Sequence, residues 1–374
     1  MPPMLFALAF FCNLAIDKKA LATFRANRNF PLRFSATSPM LRTLSAILQR
    51  PYMKLNFRIL NLIVFFLTFS NIVSCQSKIQ NGNYYEKVGN LKLNYTIKGK
   101  GPIMIVGHLS SGKIGYELTL KPLEKYFTMV YYEPRGTGKS EIPKTIEEYN
   151  QDFIVQEIED LRKKLNADKI WIFGHSDQSS IALEYALKFP QKTSGLILSG
   201  TSFVGTQQET FDRRKKSEIQ RAKESGWFAQ VIKDWDYMIE NKTKINEEGN
   251  DISDAPIKWW CYNEESSQKV IPIVKEISKA GRRKPIKDVY PIETEIERQK
   301  YLDYQKLFPN INTDILIING IYDTNNPPNY AEELHRLLPN SKLILIDKAG
   351  HFPWIENSEM TFQEIENYIK NVKK

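Results

Sequence analysis

The sequence predicts an α/β fold: a doubly wound, mostly parallel sheet with helices on both faces and a helical insertion. Three observations carry this expectation. Short continuous apolar runs at 103–106, 170–173, 195–199 and 315–318 alternate with segments of helical periodicity. Strands apolar at every position are buried on both faces, the signature of parallel sheet covered by helices. Finally, the alternation stops near residue 203 and resumes after about 310, and the stretch between is charged and without apolar strand runs.

Taken in order, residues 83–88 and 91–97 alternate in polarity around Asn90, which predicts a hairpin. A break at 99–102 precedes the run at 103–106, which exits into Gly107-His108-Leu109-Ser110-Ser111-Gly112. A helix is expected at 118–126, a strand at 128–132 and a loop at 133–140. Ile154, Ile158, Leu161 and Leu165 then repeat at helical spacing. The run at 170–173 enters Gly174-His175-Ser176-Asp177-Gln178, and 179–189 reads as the helix that follows. After the insertion come the strand at 315–318, a helix at 330–338, a strand at 342–346 and a last helix at 360–372.

The net charge of +9 invites a nucleic-acid reading until its location is examined. Residues 1–74 hold nine of the 52 basic side chains, and Asp17 is the one acid there. The remainder carries 43 basic against 42 acidic residues, which provides no field for phosphate backbones. Nucleic acid is therefore excluded as a partner. Three cysteines, Cys12, Cys75 and Cys261, cannot build a disulfide framework, and Cys261 is expected to be a small buried apolar residue.

The beginning of the chain reads as a targeting region. Residues 1–52 are Arg-rich and nearly free of acid, unlike the Lys- and Asn-rich body, and are expected to be non-structural. From Met53, the basic residues Lys54 and Arg58 precede an apolar run at 59–72. That run is too short for a comfortable bilayer span and suits a signal peptide. It ends at Ile72-Val73-Ser74-Cys75, which resembles the lipobox of bacterial lipoproteins. The resemblance implies cleavage before Cys75, its acylation, and a membrane-anchored lipoprotein of the cell envelope on a periplasmic or outer-membrane face.

In an open parallel sheet, function gathers in loops at the carboxyl ends of the strands. Gly174–Gln178 occupies such a place, between strand and helix. A serine there perches on a sharp turn, so the residue two before it must be small, and Gly174 is. The pattern G-x-S-x-G is broken only at its end, by Gln178. Taking Asp177 as nucleophile would put His175 at the position that must be small, so Ser176 is the candidate.

Of four histidines, His175 lies inside the turn, His108 in the loop after the first parallel strand, and His335 in a helical pattern. His351 follows the strand at 342–346 and is the candidate base. Asp323, on the exit loop of the preceding strand, is the candidate orienting acid, with Asp347 as rival. The chain order Ser…Asp…His favours Asp323. The oxyanion donors expected are the amides of Asp177 and Leu109, with His108 the alternative to Leu109.

From residue 83 onward the body resembles the α/β-hydrolase superfamily, in particular its proline iminopeptidase-like branch. The matching pieces are 107–112, Glu133-Pro134-Arg135-Gly136-Thr137-Gly138-Lys139-Ser140, 174–178, 320–323 and 349–353, in the family's order. The resemblance implies a serine hydrolase of the esterase or aminopeptidase type. It would act on a small-molecule or short-peptide substrate without metal or other cofactor. A non-catalytic, ligand-binding relative on the same fold is the alternative, motivated by Gln178. The implied organisation places the core at 80–202 and 311–374, with a helical cap at 203–310. The cap's Trp227, Trp235, Trp259, Trp260 and Tyr262 are expected to form its own small core, with pocket lining as the other role. Glu264 and Glu265 are read as a solvated charged face.

Overall fold

The computed structural model describes residues 79–201, 207–281 and 302–372. Residues 1–52, the signal-peptide expectation at 53–75 and the Cys75 lipidation site lie outside the described residues. So do parts of the insertion.

Eight strands form one sheet in the order β1-β2-β4-β3-β5-β6-β7-β8. Strands β1 (Gly82–Val88) and β2 (Leu91–Gly99) pair antiparallel around Gly89 and Asn90, with Gly89 at φ +58°. Strand β1 sits at the edge and alternates between exposed and part-buried residues, matching its polarity pattern. Then follow β3 (Ile103–Val106), α1 (Ile114–Thr119), β4 (Thr128–Tyr132), α2 (Gln151–Lys164), β5 (Ile170–His175), α3 (Gln178–Lys188) and β6 (Thr193–Ser199). Strands β3 to β8 pair parallel. Every residue of β3 and β5 is buried, which is why their sequences show no alternation.

The two faces of the sheet bury separate apolar layers. Ile105, Val130, Ile172, Leu196 and Ile317 face one side with Ile158 of α2 and Ile181 of α3. Met104, Met129, Phe173, Ile197 and Leu316 face the other, against Tyr116 of α1 and the C-terminal Trp354 and Ile369. The helices after β3 and β5 thus leave on opposite faces. Their loops diverge at the carboxyl ends of adjacent strands, where open α/β sheets form a binding crevice.

One local expectation is corrected. No single helix runs over 118–126: α1 ends at Thr119 and a separate 3₁₀ turn spans Lys121–Lys125. Pro122 explains the break, because it lacks an N–H and its ring collides with the carbonyl four residues back, whereas it is tolerated in a first turn.

Between β6 and β7 (Ile315–Gly320) the described residues form α4 (Gln207–Glu224), α5 (Gly226–Asn241), α6 (Ala255–Lys258) and α7 (Glu264–Ala280). Phe228, Val231 and Trp259 are buried there against Trp227, Ile232 and Trp235. Cys261 is fully buried, and its thiol lies 3.3 Å from the Ile257 carbonyl. The chain closes with α8 (Pro328–Leu337), β8 (Ser341–Ile346), α9 (Pro353–Glu356) and α10 (Ser358–Val372). No helix among the described residues is long and apolar enough to cross a membrane.

The Glu133–Ser140 turn is held from beneath. Arg135 is ion-paired to Glu157 of α2 at 3.0 Å, and its own amide donates to the same carboxylate at 3.1 Å. Burial of Glu157 pushes its carboxyl up to about 7, against the pull of Arg135. The turn anchors α2 to the sheet.

Candidate active site

Ser176 follows β5 and adopts φ +52°, the left-handed region that L side chains avoid. Asp177 after it has an ordinary helical φ of −59°. The strained residue of the turn is therefore the serine, as a nucleophile elbow requires. A side chain at Gly174 would place its Cβ 2.9 Å from Ser179 Cα and 3.0 Å from the Gln178 carbonyl oxygen. The turn closes only because position 174 has none. Gln178, where the usual pattern has glycine, is 1% exposed, so the interior holds its side chain and the elbow is intact.

Asp323 and His351 meet across the ends of β7 and β8. Asp323 Oδ2 stands 2.8 Å from His351 Nδ1, and Asp323 Oδ1 accepts the Asn326 amide at 2.9 Å. Both residues are buried. A carboxylate only accepts, so Nδ1 carries the hydrogen and Nε2 is left as the basic nitrogen. Asn325 Nδ2 lies 3.4 Å from that Nε2. The two loops are joined by the Tyr322 amide donating to the Ala349 carbonyl at 2.9 Å. Asp347, the rival acid, is exposed, and its carbonyl accepts from the Asn357 side chain.

Strand β6 lies between the serine turn and this pair. The Ser176 amide donates to the Ser199 carbonyl at 3.0 Å, and the next residue, Gly200, lies against the imidazole. A Cβ built on Gly200 would stand 3.2 Å from His351 Nδ1.

The loop after β3 turns back on itself. The His108 amide donates to the Gly112 carbonyl at 3.0 Å, and the Gly112 amide returns the bond at 2.9 Å. The His108 N–H is thereby occupied, which leaves Leu109 as this loop's candidate oxyanion donor beside Asp177. His335 lies in α8, away from these loops, with Nδ1 2.7 Å from the Ser341 hydroxyl.

The aromatic residues of the insertion divide. Trp227, Trp235 and Trp259 join its own core, and Trp260 packs against that core while also placing its ring 6.3 Å from His351 and 5.8 Å from Phe352. Glu264 accepts from Lys258 at 2.9 Å, Trp227 Nε1 at 2.8 Å and Gln268 at 2.7 Å. It is tied to three helices of the insertion, α5, α6 and its own α7.

Several residues around the Asp323 and His351 loops carry no catalytic motif of their own. Tyr116, Arg221, Asn325 and Glu356 lie in unremarkable contexts and acquire partners only through the fold. Asn325 alone was findable, being two residues past the candidate acid.

A strained elbow after a central parallel strand, with a buried Asp–His pair on the exit loops of two further strands, is an arrangement of the α/β-hydrolase class. The model of the alpha/beta hydrolase fold family matches residues 103–358, and the chain belongs to that family. It is similar to a proline iminopeptidase of Saccharolobus solfataricus, 25% identical over 81% of this chain and 94% of that one. A proline iminopeptidase of Heyndrickxia coagulans is likewise 25% identical, over 73% and 92%. Among solved structures, a proline iminopeptidase-related protein of Thermus thermophilus superposes with a TM-score of 0.56 at 19% identity, covering 79% of this chain and 99% of that one. An esterase of Thermogutta terrifontis gives 0.51 at 19%, over 79% and 100%.

Proposed function

We propose that the chain hydrolyses an ester or amide through an acyl-enzyme, with Ser176 as nucleophile, His351 as general base and acid, and Asp323 as the group that orients the imidazole. The observation that carries this is the 2.8 Å Asp323–His351 bond, which holds Nδ1 and leaves Nε2 as the nitrogen that can accept a proton. As Ser176 Oγ attacks the substrate carbonyl carbon, Nε2 takes the hydroxyl proton. The amides of Leu109 and Asp177 receive the negative charge that develops on the carbonyl oxygen. Collapse breaks the bond to the alcohol or amine, which leaves with the proton from His351. Water, deprotonated by the same Nε2, then releases the acid and restores Ser176.

The curated relatives named as proline iminopeptidases support a peptidase, and the esterase among the solved structures shares the fold alone. Turnover of a proline naphthylamide against short p-nitrophenyl esters separates the two. A fluorophosphonate probe tests the mechanism itself. An adduct on wild type that disappears in Ser176→Ala supports it. Folded wild-type protein that takes no label points instead to a ligand-binding relative.

The proposal extends to location. The Ile72–Cys75 resemblance supports a lipid anchor on Cys75 and attachment to a cell-envelope membrane. Cys75→Ala is expected to move the protein from the membrane to the soluble fraction, and membrane retention of that variant would refute the anchor.

A further inference from the structure

The segment Trp260-Cys261-Tyr262 of the insertion lies directly on the loop that carries His351. The His351 amide donates to the Trp260 carbonyl at 2.8 Å. Two buried ionisable groups, a guanidinium and a carboxyl, grip this segment from either side. Arg221, on α4, is 6% exposed, and its guanidinium stacks 3.7 Å from the Phe228 ring centroid. One nitrogen, Nη2, donates to the carbonyls of Cys261 at 2.8 Å and Tyr262 at 3.0 Å. The other, Nη1, donates to the Thr324 hydroxyl at 2.6 Å, one residue beyond Asp323.

Glu356 does the converse with amides. Its Oε2 accepts the Tyr262 N–H at 2.8 Å and its Oε1 the Phe352 N–H at 3.1 Å, next to His351. It is 4% exposed, and burial raises its carboxyl above the usual range while the amides of Tyr262, Gly350 and Phe352 oppose that rise. Burial also draws the Arg221 guanidinium down to about 10. Burying two ionisable groups is unfavourable, and here each directs its hydrogen bonds to backbone of the insertion and to one of the two loops that bear the Asp–His pair.

We infer that Arg221 and Glu356 are positioning residues: Arg221 ties the insertion to the Asp323 loop, Glu356 ties it to the His351 loop, and together they set the alignment of the acid with the imidazole. This inference rests on the proposed roles of Ser176, Asp323 and His351. A second pair of bonds on the same helix face supports it. Arg214, two turns before Arg221, donates through Nε to the Asn325 carbonyl at 2.6 Å and lies 3.4 Å from Asn326 Oδ1 through Nη2. The Asn326 amide in turn holds Asp323 Oδ1.

The test uses Arg221→Lys, which keeps the charge but loses the planar fork that reaches the hydroxyl and both carbonyls together. Two readouts are followed in the full chain: the rate of labelling by a fluorophosphonate, and the downfield proton resonance of His351 Nδ1–H. Arg221→Lys and Glu356→Gln are expected to slow labelling between about 10- and 100-fold, because displacement of reacting groups by about 1 Å has that effect. The resonance is expected to shift upfield or broaden, while the melting temperature stays within the range of folded protein. Wild-type labelling rates with an unchanged resonance in folded variants would overturn the inference. Should either variant fail to fold, Thr324→Val removes only the hydroxyl that Arg221 holds. It is followed by the same two measurements, and the same outcomes support or overturn the inference. If wild type itself takes no label, the proposed catalysis fails. The resonance then still decides the positioning role by its change or constancy in Arg221→Lys.

Discussion

The imidazoles of His175 and His351 face each other with ring centroids 4.7 Å apart, and His175 Nε2 stands 3.1 Å from the His351 carbonyl oxygen. A carbonyl only accepts, so Nε2 carries a hydrogen. Full burial, together with the nearby His351 and His108, holds the His175 pKa well below its ordinary value. His175 is therefore neutral, and its Nδ1 accepts from the Tyr116 hydroxyl at 3.0 Å. The residue beside the candidate nucleophile thus supports the candidate base from behind.

This depressed pKa has a sign for stability. The unfolded chain takes up a proton on His175 near its ordinary value of 6.5, and the folded chain does not. The contribution is complete above that pH and is lost as pH falls below it, at a rate of at most about 1.4 kcal/mol per pH unit. His175→Gln is expected to lose less stability than wild type between pH 7 and pH 5. Chemical denaturation at both values measures this, and equal losses in the two proteins would refute the assignment.

Asp323→Asn replaces the acceptor that keeps the hydrogen on Nδ1 of His351 and favours the wrong tautomer. A fall in kcat of roughly 10⁴-fold is expected. Asp347→Asn, at an exposed position, is expected to stay within about twofold of wild type, in line with surface substitutions. Steady-state kinetics on the best substrate of the panel decides between the two acids, and the reverse order would exchange their roles.

Gly200→Ala tests the close approach of β6 to the imidazole. Gly200 has φ +53°, and the added methyl would press on His351 Nδ1. A stability cost of about 1–3 kcal/mol is expected from the strained backbone. A fall in fluorophosphonate labelling beyond the fraction unfolded is also expected. Full labelling at unchanged stability would show that this approach is looser than described.

The Arg135–Glu157 pair under the Glu133 turn should respond unequally to the loss of either partner. With its pKa near 7, Glu157 left alone can shed its charge by protonation, while Arg135 cannot. Its raised pKa means that its contribution is present below the ordinary 4.5 and is lost as pH rises through about 7. At pH 8, where the pair is charged, Glu157→Leu is expected to cost about 3–5 kcal/mol and Arg135→Leu less. Equal costs by urea denaturation would argue that Glu157 stays charged when alone.

The strands were legible because burial on both faces demands an apolar residue at every position, as in Ile103-Met104-Ile105-Val106. The elbow was legible because its glycine answers a steric demand made within five residues. Helix ends were less so: the periodicity around Leu118–Tyr126 hid the stop that Pro122 imposes. Trp260 was unreadable for a different reason. Nothing local distinguishes it from Trp259, yet Trp259 is buried within the insertion's core while Trp260 lies between that core and His351.

By itself, the sequence determined the layering of the sheet, the place of Ser176 on a turn that only Gly174 permits, and the loops on which Asp323 and His351 stand. These follow from short-range sterics and from burial, which every residue carries in its own chemistry. Only the tertiary structure decided that His175 would hold the His351 carbonyl and that Arg221 and Glu356 would grip residues 260–262 between them. Those partners are up to 176 residues apart, and a hydrogen bond across such a separation leaves no pattern in either segment until the sheet brings the strand ends together.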